Sequence, residues 1–178
     1  GDVKKDRNRL KAKNDGELDA VHSLRDTYKA DIVVLLVENG NACGVAYIMK
    51  SVSSAFAASA FSVVRRDCAT GYFSFGHEIG HLMSARHNWE VDSADNSPYP
   101  FNHGYVSPAN GWRTIMAYDH SSCPRQSGMR PVCQRIQFWS NPAVSYQGVP
   151  TGVANGRPKA SDNHLTLTQT YPTVMAFR

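Results

Sequence analysis

His77, Glu78, His81 and His87 are the residues of this 178-residue chain whose types and spacing could do chemistry. On a helix His77 and His81 lie four residues apart and project from one face. Both imidazoles can then reach a single metal ion, while Glu78 stands beside them as a non-ligand base. His87 is the candidate third ligand. Three histidines around zinc leave one coordination position open for water, which a hydrolytic site needs and a closed structural site lacks. The chain has seven histidines, and chance would give these four positions in about 2 of 10,000 such chains. The competing structural readings, a buried zinc or a core helix with paired histidines, have no use for a glutamate directly after the first ligand. The expected chemistry is peptide hydrolysis without a covalent intermediate. Zinc activates the water and polarises the scissile carbonyl, and Glu78 accepts the water proton and passes it to the leaving amine.

The elements around these residues must hold the pair on a helix and return the third ligand to it. A helix continued from His81 to His87 would turn by about 600°, at roughly 100° per residue, and carry His87 away from the pair. The chain therefore has to bend between them. The helix is predicted to start near Thr70 to Ser74, where Thr or Ser can cap it, and to pack through Phe75, Ile79, Leu82 and Met83. Ahead of it, residues 1–16 read as a polar surface arm ending in the turn signal Asn14-Asp15-Gly16. Asp15 or Asp19 can then cap a helix whose stripe Leu18, Val21, Leu24 and Tyr28 is buried, with His22 off that stripe. Asp31 to Val37 is a β-branched apolar run that reads as a fully buried strand, followed by strand character at Cys43 to Met49 and Ala60 to Val64, with a small-residue loop over 51–59. After His87 the composition turns to Asn, Ser, Pro, Gly and aromatics, an ordered but irregular lobe. Ser161-Asp162-Asn163 can cap a last helix carrying Leu165, Leu167, Tyr171 and Val174, which Pro172 kinks or shortens.

The stretch from His77 to His87 resembles the metzincin motif H-E-x-x-H-x-x-G-x-x-H, and Ile115-Met116-Ala117-Tyr118 resembles the methionine turn that follows it in that clan. One position departs: Ser84 stands where the family has glycine, at a helix end that calls for a positive φ. A serine there costs about 1–2 kcal/mol. The bacterial peptidyl-Asp metalloendopeptidase group, near the reprolysins and astacins, is resembled further at Arg65 to Tyr72, Trp112 to Tyr118 and Phe138 to Pro142. The resemblance runs from about Asp15 to Phe177. It implies an α+β zincin with a small mixed sheet packed on the zinc helix, an irregular disulfide-containing C-terminal subdomain and a terminal helix. The whole chain is then one catalytic domain, with 15–87 the sheet-and-helix subdomain and 88–178 the irregular one. Domains of this type begin with a further strand, helix and strand, and no segment before Asp15 matches them, so the chain is either trimmed or smaller in its sheet. The resemblance also makes Met116 a structural base beneath the metal. It gives Tyr118 the role of an oxyanion hydrogen-bond donor, against the alternative of an ordinary packed tyrosine. Asp119, beside that turn, stays open as a rival to His87 for the third ligand. A glutamate ligand would lie well downstream on another helix, and only Glu90 follows the motif, too close to His81.

Length and 42% hydrophobic content suffice for one core. No run approaches a membrane span, and Gly1 is neither an initiator methionine nor the start of a signal peptide, so the sequence reads as a processed piece. Cys43, Cys68, Cys123 and Cys133 lack C-x-x-C spacing, which favours disulfides and a secreted, extracellular or periplasmic setting. Four cysteines allow three connectivities. The resemblance and proximity in sequence select Cys43 with Cys68 and Cys123 with Cys133. The net charge of +4 lies entirely after the methionine turn, since residues 117–178 hold six Lys+Arg and two Asp+Glu. Arg65-Arg66 reads as a solvated strand end, and no basic stripe with interleaved aromatics marks a nucleic-acid partner. The expected partners are protein or peptide substrates of a monomer carrying one catalytic zinc, with an inhibitory propeptide outside this chain. Arg125, Arg130 and Arg135 are candidates for a pocket that takes an acidic P1′ side chain, because guanidinium binds carboxylate bidentately. With the resemblance, this implies cleavage on the amino side of Asp; dispersed surface charge is the alternative. His103 and His120 lack ligand spacing and read as surface or loop histidines, and Tyr99-Pro100-Phe101-Asn102 and Trp112 as packing for the irregular lobe, with lining of the cleft as the alternative. The competing function class is an inactive zinc-containing relative that binds proteins or glycans.

Overall fold

The computed structural model describes residues 1–93, 97–125 and 128–178. The chain gathers into two compact units, Gly1–Met83 with Thr170–Arg178, and Ser84–Gln169. Its elements are mixed α+β, with small sheets.

In the first unit, residues 1–16 are not an irregular arm. Val3–Lys11 is a helix, α1, capped by Asp2, whose Oδ1 accepts from the N–H groups of Lys4 and Lys5 at 3.0 and 3.3 Å. Lys and Arg are good helix formers, and Val3 and Leu10, seven residues apart, place both apolar side chains on one face. They are buried against Phe61 and Val63. Two apolar residues among nine are too few to register as a periodic stripe.

Helix α2 (Ala20–Thr27) forms after Asp19, whose carboxylate accepts from Asp15 and Gly16 rather than capping the helix. The expected stripe is overturned: Leu18, Leu24 and Tyr28 are exposed, Tyr28 at 77%, and only Val21 packs on the core. Arg25 is the buried residue. Its guanidinium donates to the carbonyls of Ala30, Ala57 and Asp31 and lies 4.8 Å from the Phe61 ring centroid, so fixed acceptors replace its water. Burial, then the charge of Arg178, hold its pKa below the usual arginine range. His22 is half-buried, with Nε2 2.6 Å from the Ala12 carbonyl and its ring edge-on to Phe61.

The sheet runs β1 (Val33–Val37), β3 (Phe61–Arg65), β2 (Gly44–Ala46), with β1 parallel and β2 antiparallel to β3. As the central strand β3 is buried through Val64, whereas β1 is an edge strand with Leu36 exposed, not the fully buried strand expected. Alternation along β3 gives Phe61 and Val63 to the α1 face and Ser62 and Val64 to the other. The small-residue loop contains a 3-10 turn at Ser54–Ser59, and the Arg65-Arg66 strand end runs directly into the short helix α3 (Arg66–Ala69). Cys43 and Cys68 are joined, tying β2 to α3.

The second unit holds short strands β4 (Val106–Ser107), β5 (Trp112–Arg113) and β6 (Gln134–Arg135) in that order, then the hairpin β7 (Ser145–Tyr146) and β8 (Val149–Pro150). Gln147 and Gly148 both take positive φ in its turn, which Gly148 makes cheap. Cys123 and Cys133 are joined. The last helix, α5 (Asn163–Val174), begins where Asp162 Oδ1 accepts from Leu165 N–H at 2.9 Å and ends two residues past Pro172. Its buried face carries Thr166, Thr170 and Val174, while Tyr171 is exposed. The threonine hydroxyls donate to the Asp162 and Met83 carbonyls, so polar side chains occupy the face that apolar ones were expected to fill. Within the first unit, to which the end of this helix belongs, Val174 and Phe177 pack with Met49 and Ala60. No helix among the described residues is long and apolar enough to cross a membrane.

Candidate metal centre

The histidine pair rides on helix α4 (Ser74–Leu82). No Ser or Thr side chain caps it. Phe73 precedes it at φ 55°, its N–H held by the Thr70 carbonyl and its own carbonyl accepting from His77, so a left-handed turn out of α3 sets the entry. Of the expected packing residues Leu82 is buried but Phe75 is exposed. The far end is closed by Met49 N–H on the His81 carbonyl at 3.2 Å and by Thr170 Oγ1 on the Met83 carbonyl at 3.0 Å, two of the acceptors a helix terminus leaves over. His77, Glu78 and His81 are all buried, and the two imidazoles meet edge to face at 4.8 Å.

Glu78 lies against the sheet. Gly44 of β2 stands opposite Val64, so the Cβ it lacks would point to the face away from α1. That Cβ would lie 2.6 Å from Glu78 Oε1 and 2.8 Å from its Cγ. The glycine is there because the glutamate occupies its side-chain space. Sequence reading missed it, and the only signal was a glycine inside a strand, which marks a close approach.

The bend falls at Ser84, buried, with φ 73°. Asn102 holds it there: its Nδ2 donates to the Ser84 carbonyl at 3.0 Å, and its own carbonyl accepts from Arg86 N–H at 2.7 Å. The chain then returns His87, and one ligand atom from each of His77, His81 and His87 falls within 4.8 Å of the others. Zinc with Zn–N bonds of about 2.0–2.1 Å sets tetrahedral nitrogens about 3.4 Å apart, and the three ligand atoms form a group that could hold such an ion. Three neutral imidazoles are a borderline-soft nitrogen set suited to zinc.

Residues of its own unit pack on His87. The Tyr118 ring lies edge-on at 4.6 Å between centroids, and Tyr118 N–H donates to Asn88 Oδ1 at 2.9 Å. Tyr118 is 46% exposed and Met116 fully buried. Arg86 forms a bidentate pair with Asp92, both contacts 2.8 Å. Burial acts to raise the Asp92 carboxyl, but the Arg86 hydrogen bond and charge outweigh it and hold Asp92 below the usual carboxylate range. His103 is not a surface histidine. It is fully buried, stacked on Trp89 at 3.9 Å, and donates from Nδ1 to the His87 carbonyl at 2.8 Å. His120 stays in a loop, its Nδ1 accepting from Ser122 N–H. Phe101, Asn102 and Trp112 are buried, as packing requires.

Asp119 is engaged elsewhere: its Oδ1 accepts from Arg113 Nε at 3.0 Å and from Cys133 N–H at 2.8 Å. Arg113, unmarked in the sequence, is buried and also donates to the Ala117 and Cys133 carbonyls, tying the methionine turn to the disulfide. The three arginines separate. Arg125 and Arg130 line a cavity of about 510 Å³ with Pro124, Met129, Val132 and Gln134, while Arg135 donates from Nη2 to the Ala117 carbonyl at 3.3 Å.

Residues 6–142 match the model of the metallo-peptidase family M12B, reprolysin-like. The chain is 45% identical over its full length to the peptidyl-Asp metalloendopeptidases of Stenotrophomonas maltophilia strain K279a and Xanthomonas campestris pv. campestris. It spans 39% and 38% of their lengths. The peptidyl-Asp metalloendopeptidase of Pseudomonas aeruginosa is 30% identical over 122 residues, 57% of this chain and 20% of that protein. A solved structure described as a chaperone-substrate complex superposes on 98% of this chain and 25% of its own with a TM-score of 0.63 at 17% identity, a likeness of fold alone.

Proposed function

The chain belongs to the reprolysin-like M12B metallopeptidases, and from that premise we propose that it is a secreted zinc endopeptidase of metzincin plan in which Glu78 is the general base. The observation that carries the proposal is the convergence of His77, His81 and His87 with Glu78 buried beside the pair. Zinc, when bound there, supplies a Lewis acid that lowers the pKa of water towards neutrality and polarises a carbonyl. The remaining work belongs to side chains. Glu78, fixed over Gly44, takes a proton from the attacking water at its carboxylate and returns it to the leaving amine. Tyr118, half-exposed beside His87, donates its hydroxyl to the developing oxyanion. The buried Met116 carries the turn that presents Tyr118.

Arg125 and Arg130, without Arg135, give the substrate preference, an acidic P1′ side chain, with cleavage before Asp. Two features support it: the name peptidyl-Asp metalloendopeptidase borne by the relatives, and the cavity in which Arg125 and Arg130 stand together. Fixed guanidinium groups bind a carboxylate bidentately and reject cations. The two disulfides support a secreted setting.

The test is cleavage of casein by the purified protein, with and without 1,10-phenanthroline. Cleavage abolished by the chelator and restored by zinc is the expected result. A protein that holds one zinc and leaves casein and a mixed peptide library uncut would refute it in favour of a non-catalytic binding module.

A further inference from the structure

We propose that His103, at the centre of the segment Asn102-His103-Gly104, is the positioning residue for His87, an inference that rests on His87 being the third zinc ligand. The segment runs alongside the ligand loop and grips it at consecutive points. Asn102 Nδ2 holds the Ser84 carbonyl, the Asn102 carbonyl takes Arg86 N–H, His103 Nδ1 donates to the His87 carbonyl, and Gly104 N–H donates to the Arg86 carbonyl at 2.9 Å. A carbonyl can only accept, so this contact fixes the proton of His103 on Nδ1. The ring has no freedom to leave. It is fully buried and stacked on Trp89, whose Nε1 is itself tied to the Ala160 carbonyl at 2.9 Å.

The other side of the segment rests on the methionine turn. A Cβ at Gly104 would lie 2.8 Å from Ala117 N and 2.9 Å from the Met116 carbonyl carbon, so backbone packs on backbone. The methionine turn therefore reaches His87 through His103 and Gly104 as well as through the Tyr118 ring. The arrangement also accounts for Ser84. A serine at φ 73° would relax towards negative φ and swing His87 away; the grip at Ser84, Arg86 and His87 opposes that relaxation. Groups that orient a metal ligand typically cost 10–100-fold in affinity when removed.

The test compares His103→Leu, His103→Gln and His103→Asn with wild type and His87→Ala. Zinc affinity is measured by chromophoric competition and ligand geometry by the visible absorption of the cobalt-substituted protein. All three His103 variants lose the Trp89 stack, so their melting temperatures fall alike. An Asn amide reaches the place of Nδ1, whereas the longer Gln amide overshoots it. The expected result is about 10–100-fold weaker zinc binding and a changed cobalt spectrum in His103→Leu and His103→Gln, with His103→Asn restored to within a few-fold. Should His103→Leu not fold, the Gln and Asn pair carries the same contrast. Wild-type affinity and spectrum in His103→Gln, or an equal loss in His103→Asn, overturns the inference while a weakened His87→Ala leaves the ligand assignment standing. A His87→Ala protein that binds zinc as wild type does overturns both.

Discussion

Replacing Gly44 by alanine tests the packing of Glu78, the proposed general base, with one methyl group. Gly44 has no positive φ, so alanine meets no conformational strain there and the effect reports contact alone. The new Cβ would stand 2.6, 2.8 and 2.9 Å from Oε1, Cγ and Cδ of Glu78, whereas carbon contacts settle at about 3.5 Å, so a displacement of about 0.7 Å is required. Strand β2 cannot give way readily, being paired along its length with β3 and held at Cys43 by the disulfide to Cys68. Glu78 moves instead, and a 1 Å misplacement of a catalytic group costs about 100-fold. We therefore expect kcat/KM on a quenched fluorescent peptide to fall about 10–100-fold while zinc content and the cobalt spectrum stay at wild-type values. Activity within twofold of wild type would refute the reasoning. So would loss of zinc in parallel with activity, since it would show that the methyl group moves the histidine helix rather than the glutamate.

Glu78→Gln keeps the volume of the side chain and removes its basicity, so it should retain stoichiometric zinc by metal analysis and lose peptidase activity by at least about 100-fold. Ser84→Gly relieves about 1–2 kcal/mol of left-handed strain and returns part of it through the freer unfolded chain, a net gain of about 0.5–1 kcal/mol by urea titration. Asp92→Asn removes the carboxylate charge paired with the buried Arg86 and should cost about 3 kcal/mol at neutral pH. The native pKa of Asp92 lies below its unfolded value, so its contribution is present above about pH 4 and is lost as pH falls through the native value; the variant's stability should fall less steeply in acid than that of wild type. Glutamine at Arg125 or Arg130 should erode selection of acidic P1′ residues in a proteome-derived peptide library more than glutamine at Arg135, and random or hydrophobic P1′ residues in the wild type would sink that assignment.

What was legible in the sequence was what spacing along one element dictates. Histidines spaced four apart fall on one helix face, and a third six residues further on, with a family glycine position between, demands a bend, which the positive φ of Ser84 supplies. Strand runs rich in β-branched residues appeared as β1 and β3, and each disulfide joined two cysteines consecutive in the sequence. Several of the misreadings share a cause, the assignment of polar groups to solvent. Helix α1 is mostly Lys, Arg and Asp, yet Val3 and Leu10 suffice to seat it; α2 buries Arg25 because three carbonyls meet its guanidinium; α5 buries threonines whose hydroxyls reach carbonyls. A polar side chain with fixed partners behaves as core, and the partners lie too far along the chain for periodicity to register them.

The same limit governs the site, and it separates two kinds of residue there. Groups that could act on a metal or a substrate carry chemistry in their own type, so His77, Glu78, His81 and His87 stand out one by one as candidates. Groups that hold them act through backbone atoms: Gly44 by lacking a side chain, Asn102 and His103 by reaching the carbonyls of Ser84 and His87, and Arg113 by reaching that of Ala117. A carbonyl is available at every residue, so nothing in the identity of Ser84 or Ala117 announces a partner, and His103, 16 residues beyond its acceptor, has no spacing relation to betray it. The departure from the family pattern at Ser84 is thus explained by residues that no local motif contains. Substituting the supporting residues one at a time, with zinc affinity and catalysis read separately, distinguishes which support serves the ligand and which the base.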